Sequence, residues 1–307
     1  MKLLAIIEIV ILILFIISTP VVVLIDCSIS MSTKNGKSSM ELLRLADQLY
    51  NTGRSKFNDA SILYWKALRK DPSLLSARFR LAEIYYTYIW NYEALSQLEE
   101  IEKINPKYPG TYSLMGKIYH RLNDNEKSQK SFQKALALQP DDPSAYYYLG
   151  TIYQQQNKED EALASYQNAV KYSHLDKESV VKSFLQMGRI YKNRNDWTNA
   201  EEALKNGLSL DPNSLEIISE LKSLYEREAD IFKSQQRFDK AAEVYEKIVK
   251  LEPDKPENSW IYVEIGNIYR NMELKDKAIS AYKKAAKIDP LNYDAFTALK
   301  DLGQKAE

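Results

Sequence analysis

The chain has 307 residues, 45% of them hydrophobic, so it is long enough for two ordinary domains or one extended repeat array with a sizeable core. Its 42 basic and 42 acidic residues balance, and this absence of net charge argues against nucleic acid as a partner. The single cysteine excludes an internal disulfide and a thiolate metal cluster.

The N-terminal residues 1–25 predict a transmembrane helix. Between residues 3 and 25 the only non-apolar interruptions are Glu8, Ser18, Thr19 and Pro20. A helix of this span is about 35 Å long, enough to cross a hydrocarbon core of about 30 Å. We therefore expect a single-pass membrane anchor. The side of the membrane stays open, because the basic residues on the two flanks are too evenly divided to fix it.

Two alternatives to a permanent anchor remain for this segment. The first is a signal peptide cleaved at Ser28-Ile29-Ser30, although the apolar run is long for a signal sequence. The second is a lipid on Cys27, although Asp26 stands where bacterial lipoprotein signals resemble one another in having a small residue. Residues 26–38 are polar and predict a flexible linker.

From residue 39 onward, one pattern recurs at a spacing of 34 residues. Its clearest copy alternates bulky and small side chains at fixed positions and ends in proline: Tyr112, Met115, Gly116, Tyr119, Ser128, Phe132, Ala135 and Pro140. A period of this length predicts pairs of α-helices that bury their apolar faces by stacking on the next pair. The predicted fold class is therefore all-α.

This pattern resembles that of the tetratricopeptide repeat (TPR) family. Seven copies cover about four-fifths of the chain: 39–74, 75–108, 109–142, 143–176, 181–214, 222–255 and 259–292. The resemblance implies a right-handed α-solenoid of about seven helix-turn-helix repeats. Loop-sized insertions divide it into a regular block, 39–176, and a looser one, 177–292. Residues 293–307 predict a capping helix and a tail.

Seven additional residues, 215–221, precede the sixth repeat. Because seven residues make almost two helical turns, the first helix of that repeat can extend from about 215 to 236 without rotating its apolar face. The alternative is a bent spacer.

In the TPR family the first helix of each repeat lines a concave groove. Carried over to the matching positions, the resemblance assigns these residues to the groove: Phe79, Tyr86, Lys117, His120, Arg121, Tyr147, Arg189, Lys192, Trp260 and Arg270. Aromatic residues crowd the early repeats and basic ones recur in later repeats. This combination favours a protein or peptide partner with hydrophobic and acidic segments. The alternative is that these are ordinary solvated helix faces.

Several functions are not expected. TPR adaptors that bind the C-terminal peptide of heat-shock chaperones resemble one another in a Lys and Asn clamp, but the matching positions here hold pairs such as Phe79 with Glu83. The sequence contains only two histidines, and it has no Gly-rich phosphate loop, paired Cys motif or HExxH motif. We therefore expect neither enzyme activity nor a cofactor.

The sequence as a whole predicts a membrane-anchored scaffold that recruits or assembles partner proteins through the groove. Two alternatives stay open. In the first alternative, the protein is a structural subunit of a large membrane-associated assembly and binds by its outer faces. In the second, it is a secreted, soluble TPR binding protein released by signal cleavage.

Overall fold

The computed structural model describes residues 36–253 and 255–304. All regular structure within these ranges is helical, comprising fifteen α-helices and one 3-10 turn, Arg54–Lys56. The helices are α1 (Ser39–Asn51), α2 (Phe57–Lys70), α3 (Leu75–Thr87), α4 (Asn91–Ile104), α5 (Thr111–Arg121), α6 (Asn125–Leu138), α7 (Pro143–Gln155), α8 (Glu159–Lys171), α9 (Lys177–Asn193), α10 (Trp197–Leu210), α11 (Leu215–Ser234), α12 (Phe238–Leu251), α13 (Asn258–Asn271), α14 (Lys275–Ile288) and α15 (Tyr293–Asp301).

The chain divides into two compact units, one ending at Ser131 and the other beginning at Phe132, within helix α6. In the first unit α1 packs on α2 and α3 on α4. In the second unit α7 packs on α8, α9 on α10, α11 on α12 and α13 on α14, while α15 covers α14. Helix pairs of this kind match the predicted repeats. The grouping into blocks 39–176 and 177–292 stays a prediction.

The turn between the two helices of a pair places one residue in the left-handed conformation. The non-glycine residues with φ between 58° and 65° are Ile89, Asn123, Asn157, Asn195, Gln236 and Glu273. The backbone N–H of the next residue then donates to a carbonyl in the last turn of the preceding helix. An example is the Lys158 N–H, which donates to the Tyr153 carbonyl at 2.9 Å. This bond is the helix-ending arrangement that a left-handed residue permits. The turn therefore reverses the chain in very few residues.

Small residues allow the paired helices to approach each other closely. A Cβ atom added at Gly150 would lie 2.5 Å from Tyr166 Cε1, and one added at Gly266 would lie 2.4 Å from Tyr282 Cε1. Both tyrosines are fully buried. The hydroxyl of Tyr282 donates to Asn267 Oδ1 at 2.8 Å, so its polar end is satisfied. The abundant tyrosines thus include large core residues of the repeats.

The seven additional residues before the sixth repeat are helical. Helix α11 begins at Leu215 and ends at Ser234, and its first turns bury Ile217 and Leu221 completely. Leu215 itself is 73% exposed. The buried side chains follow the face that continues to Tyr225, as expected for an insertion of almost two turns.

Within the described ranges, every helix falls short of the combined length and apolarity that a membrane span requires. The predicted transmembrane helix over 1–25 lies outside the described residues. The same is true of 26–35 in the predicted linker and 305–307 in the tail.

Candidate functional site

The ten predicted groove residues all lie on first helices of repeats. Helix α3 carries Phe79 and Tyr86, α5 carries Lys117, His120 and Arg121, α7 carries Tyr147, α9 carries Arg189 and Lys192, and α13 carries Trp260 and Arg270. The residues of α3 and α5 belong to the first compact unit and the others to the second.

In the first unit Tyr86 and Arg121 lie together. The guanidinium carbon of Arg121 is 3.7 Å from the centroid of the Tyr86 ring, and its Nη1 donates to the Tyr86 carbonyl at 2.6 Å. A cation over an aromatic face is held by the ring's electrostatic field. Arg121 is exposed and Tyr86 is partly exposed, so the pair offers a partner both a positive charge and an apolar edge.

A further charged group lies on the same helix as Tyr86. Glu83 Oε2 accepts hydrogen bonds from Arg80 Nη1 at 2.8 Å and from the Tyr50 hydroxyl at 3.2 Å. The Arg80 guanidinium also lies 4.6 Å from the centroid of the Tyr50 ring. The carboxylate of Glu83 is therefore neutralised within this unit.

Phe79 and His120 are less available than their positions suggest. The Phe79 ring lies 5.7 Å from that of Tyr108, and a Cβ atom added at Gly110 would come within 2.8 Å of it. Phe79 thus packs against the loop that precedes α5. His120 and Lys117 are partly buried. Burial lowers the pKa of His120, which favours its neutral form.

In the second unit Arg189 and Lys192 converge on Glu220 of α11. Arg189 Nε donates to Glu220 Oε1 at 2.7 Å, and Lys192 Nζ donates to Glu220 Oε2 at 2.5 Å. Burial alone would raise the pKa of Glu220. The hydrogen bonds and charges of the two cations outweigh burial and hold that pKa below its ordinary value. The two predicted cations are therefore present but already share a carboxylate.

Tyr147 borders this ion cluster. Its ring meets that of Tyr166 at 6.1 Å, and burial raises the pKa of its hydroxyl. The positive charges of Lys182 and Arg189 and the negative charges of Glu216 and Glu178 also act on that hydroxyl. A partner at this point would meet an aromatic face next to ionised side chains.

The last predicted groove residues are separate. Trp260 is 44% exposed, and its ring lies edge-on to that of Tyr245 at 6.4 Å. Arg270, ten residues further on the same helix, is exposed and forms no ion pair with any residue that the structure describes. Trp260 and Arg270 remain available to a partner.

Sequence reasoning missed Glu220, the residue that most changes the charge of this surface. It lies 31 residues from Arg189 and 28 from Lys192, outside the repeat pattern. One signal was available: Glu216 and Glu220 are four residues apart in the inserted segment and follow a basic repeat. The ion pair itself required the stacking of α11 on α9.

The fold and this surface define an α-helical repeat protein whose first helices carry aromatic and charged side chains. A TPR repeat model matches residues 116–157, and tetratricopeptide repeat models match 143–174, 183–216, 223–255 and 261–290. The chain therefore carries tetratricopeptide repeats.

Solved structures with similar folds include the C-terminal part of a TPR repeat-containing protein from Cytophaga hutchinsonii, with 19% identity over 84% of this chain and 99% of that one, and a TM-score of 0.61. MamA from Desulfovibrio magneticus RS-1, from position 41 to its end, has 14% identity over 59% and 98% of the two chains, and a TM-score of 0.50. These identities establish a similarity of fold alone. Comparison with curated protein sequences found no match.

Proposed function

We propose that this protein is a protein–protein interaction scaffold that recruits or assembles partners on the first helices of its repeats. One observation carries the proposal: these helices present aromatic and cationic side chains, which lie side by side at Tyr86 and Arg121. Stacked helical repeats commonly provide extended binding surfaces of this kind. Their arrangement as one right-handed solenoid is part of the proposal.

The proposed partner is a protein or peptide with hydrophobic and acidic segments. Apolar side chains would pack on the exposed edges of Tyr86 and Trp260, and carboxylates would pair with exposed guanidinium groups such as those of Arg121 and Arg270. The proposal includes no catalysis, cofactor, nucleic acid or heat-shock chaperone C-terminal peptide.

We also propose that the scaffold is held at a membrane. The support is the sequence of residues 1–25, whose apolar length suits a single span, and either side of the membrane is compatible with it. Anchoring would raise the local concentration of the repeats near any membrane-bound partner. Extraction of membranes with alkaline carbonate tests this: the full chain should stay in the pellet, whereas the chain without residues 1–25 should be released.

A structural subunit that binds by its outer faces is the second candidate. The observation that favours it is an exposed apolar cluster at the turn from α3 to α4. There Ile89 is 68% exposed, Trp90 is 47% exposed and Tyr92 is 74% exposed. Neighbouring exposed side chains of this size mark contact surfaces more often than isolated ones do.

Affinity capture of the detergent-solubilised full chain separates these candidates. One variant combines Tyr86→Ala with Arg121→Ala, and a second combines Tyr147→Ala with Arg189→Ala. The matched outer-face variant combines Tyr92→Ala with Lys130→Ala, where both side chains are well exposed. Each preparation is checked for an unchanged circular dichroism spectrum, and co-purifying proteins are quantified.

We expect at least one of the two first-helix variants to lose partners by about tenfold or more, the loss of roughly 1.4 kcal/mol of binding free energy. The outer-face variant should keep those partners. Loss only in the outer-face variant would replace the scaffold proposal with the structural subunit. The separate variants also report which compact unit carries the contact.

A further inference from the structure

The cation pair of repeat 5, Arg189 and Lys192, already has an occupant from the chain itself. Each oxygen of the Glu220 carboxylate accepts from a different cation, at 2.7 Å and 2.5 Å. Lys192 Nζ makes a further contact of 3.4 Å with the Ser223 hydroxyl on the same helix. The Lys192 and Glu220 side chains are only 16% and 17% exposed, so this contact is largely shielded from water.

The occupant comes from the seven additional residues, 215–221, which lie outside the repeat pattern. They form the first two turns of α11, and Ile217 and Leu221 anchor these turns in the core. The carboxylate of Glu220 is thereby held against α9 by its own helix. Glu216, one turn earlier, brings a second negative charge close enough to act on Tyr147. The insertion thus delivers the Glu220 carboxylate to the basic first helix of the preceding repeat.

The Glu220 carboxylate occupies Arg189 and Lys192 in the way that the carboxylate of a bound partner would. A partner's carboxylate would need the same donors, the Arg189 guanidinium and the Lys192 ammonium, because paired cations are what bind carboxylates in proteins. Lys182, the other basic residue of this helix face, is engaged by Glu178 at 2.5 Å. The donors that an external carboxylate would need are therefore already occupied by Glu220.

We propose that Glu220 is a built-in competitor: it occupies a carboxylate-binding site formed by Arg189 and Lys192, and an acidic partner side chain binds there by displacing it. This inference rests on the proposed function and adds a regulatory element to it. Because the competitor is part of the same chain, its effective concentration is high and constant. Segments with few acidic side chains are therefore excluded from the site. A partner that also packs on Tyr147 gains enough binding free energy to displace Glu220.

Glu220→Gln tests the inference, because it removes the negative charge while keeping the size of the side chain. The matched control is Glu252→Gln, which breaks the Lys222–Glu252 pair. That pair also joins α11 to a neighbouring segment, and its side chains are 26% and 18% exposed. Both variants are made in the full chain and are studied in detergent. The probe is a fluorescein-labelled octapeptide of alternating Leu and Glu, and a second octapeptide carries Gln in place of Glu.

Fluorescence anisotropy should show that Glu220→Gln binds the Glu peptide about tenfold more tightly than the unmodified protein or Glu252→Gln does. The gain should disappear with the Gln peptide. It should also disappear when Arg189→Gln and Lys192→Gln are added to Glu220→Gln. Thermal unfolding of both single variants shows whether each is folded at the temperature of the assay. If Glu220→Gln were unfolded there, Glu220→Ala and a lower assay temperature replace it.

An unchanged or weaker affinity of folded Glu220→Gln for the Glu peptide overturns the inference, as does an equal gain in Glu252→Gln. Neither result affects the scaffold proposal, which depends on loss of captured partners in the first-helix variants. If that capture is unaffected while Glu220→Gln gains affinity, the scaffold proposal fails and the carboxylate site remains.

Discussion

Six helix-to-helix turns in the described residues adopt one backbone conformation with different side chains, and only the turn at Ile89 places a β-branched residue in it. The left-handed region costs an ordinary residue about 1–2 kcal/mol, whereas Asn tolerates it best after glycine. Three of the other turns use Asn123, Asn157 and Asn195. Ile89 is therefore the most strained member of the series.

Replacing Ile89 with Asn should raise the free energy of unfolding by about 1 kcal/mol, because the strain is relieved and the 68% exposed side chain loses little apolar burial. Urea unfolding followed by circular dichroism measures the change. The reciprocal variant, Asn157→Ile, should lose a similar amount. A loss of stability in Ile89→Asn would mean that this side chain packs in a way that its exposure does not reveal.

Gly266 illustrates a second constraint at the level of single atoms. In an exposed helix Gly→Ala is stabilising by about 1 kcal/mol, but here the new Cβ would lie 2.4 Å from the buried ring of Tyr282. Overpacking should prevail, and we expect Gly266→Ala to lower the unfolding free energy by about 1–2 kcal/mol. Repeat 6 has Ala229 at the matching position, fully buried. Ala229→Gly should therefore also be destabilising, and a stabilising result for Gly266→Ala in urea unfolding would contradict the close approach.

Sequence reasoning succeeded for residues whose role is set within one repeat. Small residues such as Gly150 and bulky ones such as Tyr166 recur at fixed positions, so their packing could be predicted. The ion pairs of Arg189 and Lys192 could not, because they depend on which residue of the next repeat lies opposite. Stacking geometry determines that neighbour, and an insertion changes it.

At the scale of elements, α11 shows how an insertion becomes part of the fold. The sequence left a long helix and a bent spacer open for 215–221. The structure has the long helix, because almost two turns preserve the direction of the apolar face. The helix ends at Ser234, and the following turn uses Gln236 in the left-handed conformation.

Two substitutions within the insertion test its packing. Ile217→Ala removes a fully buried side chain and should lower the unfolding free energy by about 2–4 kcal/mol. Leu215→Ala, two residues earlier and 73% exposed, should change it by less than about 0.5 kcal/mol. Urea unfolding compares them directly. Equal effects would indicate that the inserted turns are not packed as described.

At the scale of the whole molecule, stability comes from the contact of each helix pair with the next, so the last pair needs a cover. In the second unit α15 provides it: Leu299 is fully buried in a cluster with Val263, Tyr282 and Ala285, and Phe296 packs at its edge. The sequence predicted a capping helix within residues 293–307. A final amphipathic helix has only one neighbour, so its apolar face identifies what it covers.

Deleting residues 293–307 should therefore destabilise the last repeats and cause the protein to self-associate. Each of the lost Leu299 and Phe296 side chains contributes about 1.5–3 kcal/mol if fully buried, and Phe296 contributes less because it is partly exposed. The uncovered cluster would then form an exposed apolar patch. We expect a lower thermal midpoint and, by light scattering in detergent, a concentration-dependent increase in protein mass. Deleting only residues 305–307 is the matched control and should change neither quantity. A truncated chain that stays monomeric and keeps its original thermal midpoint would show that the preceding helix pair is stable without α15. Stacking at this end would then contribute less to stability than the burial of Leu299 implies.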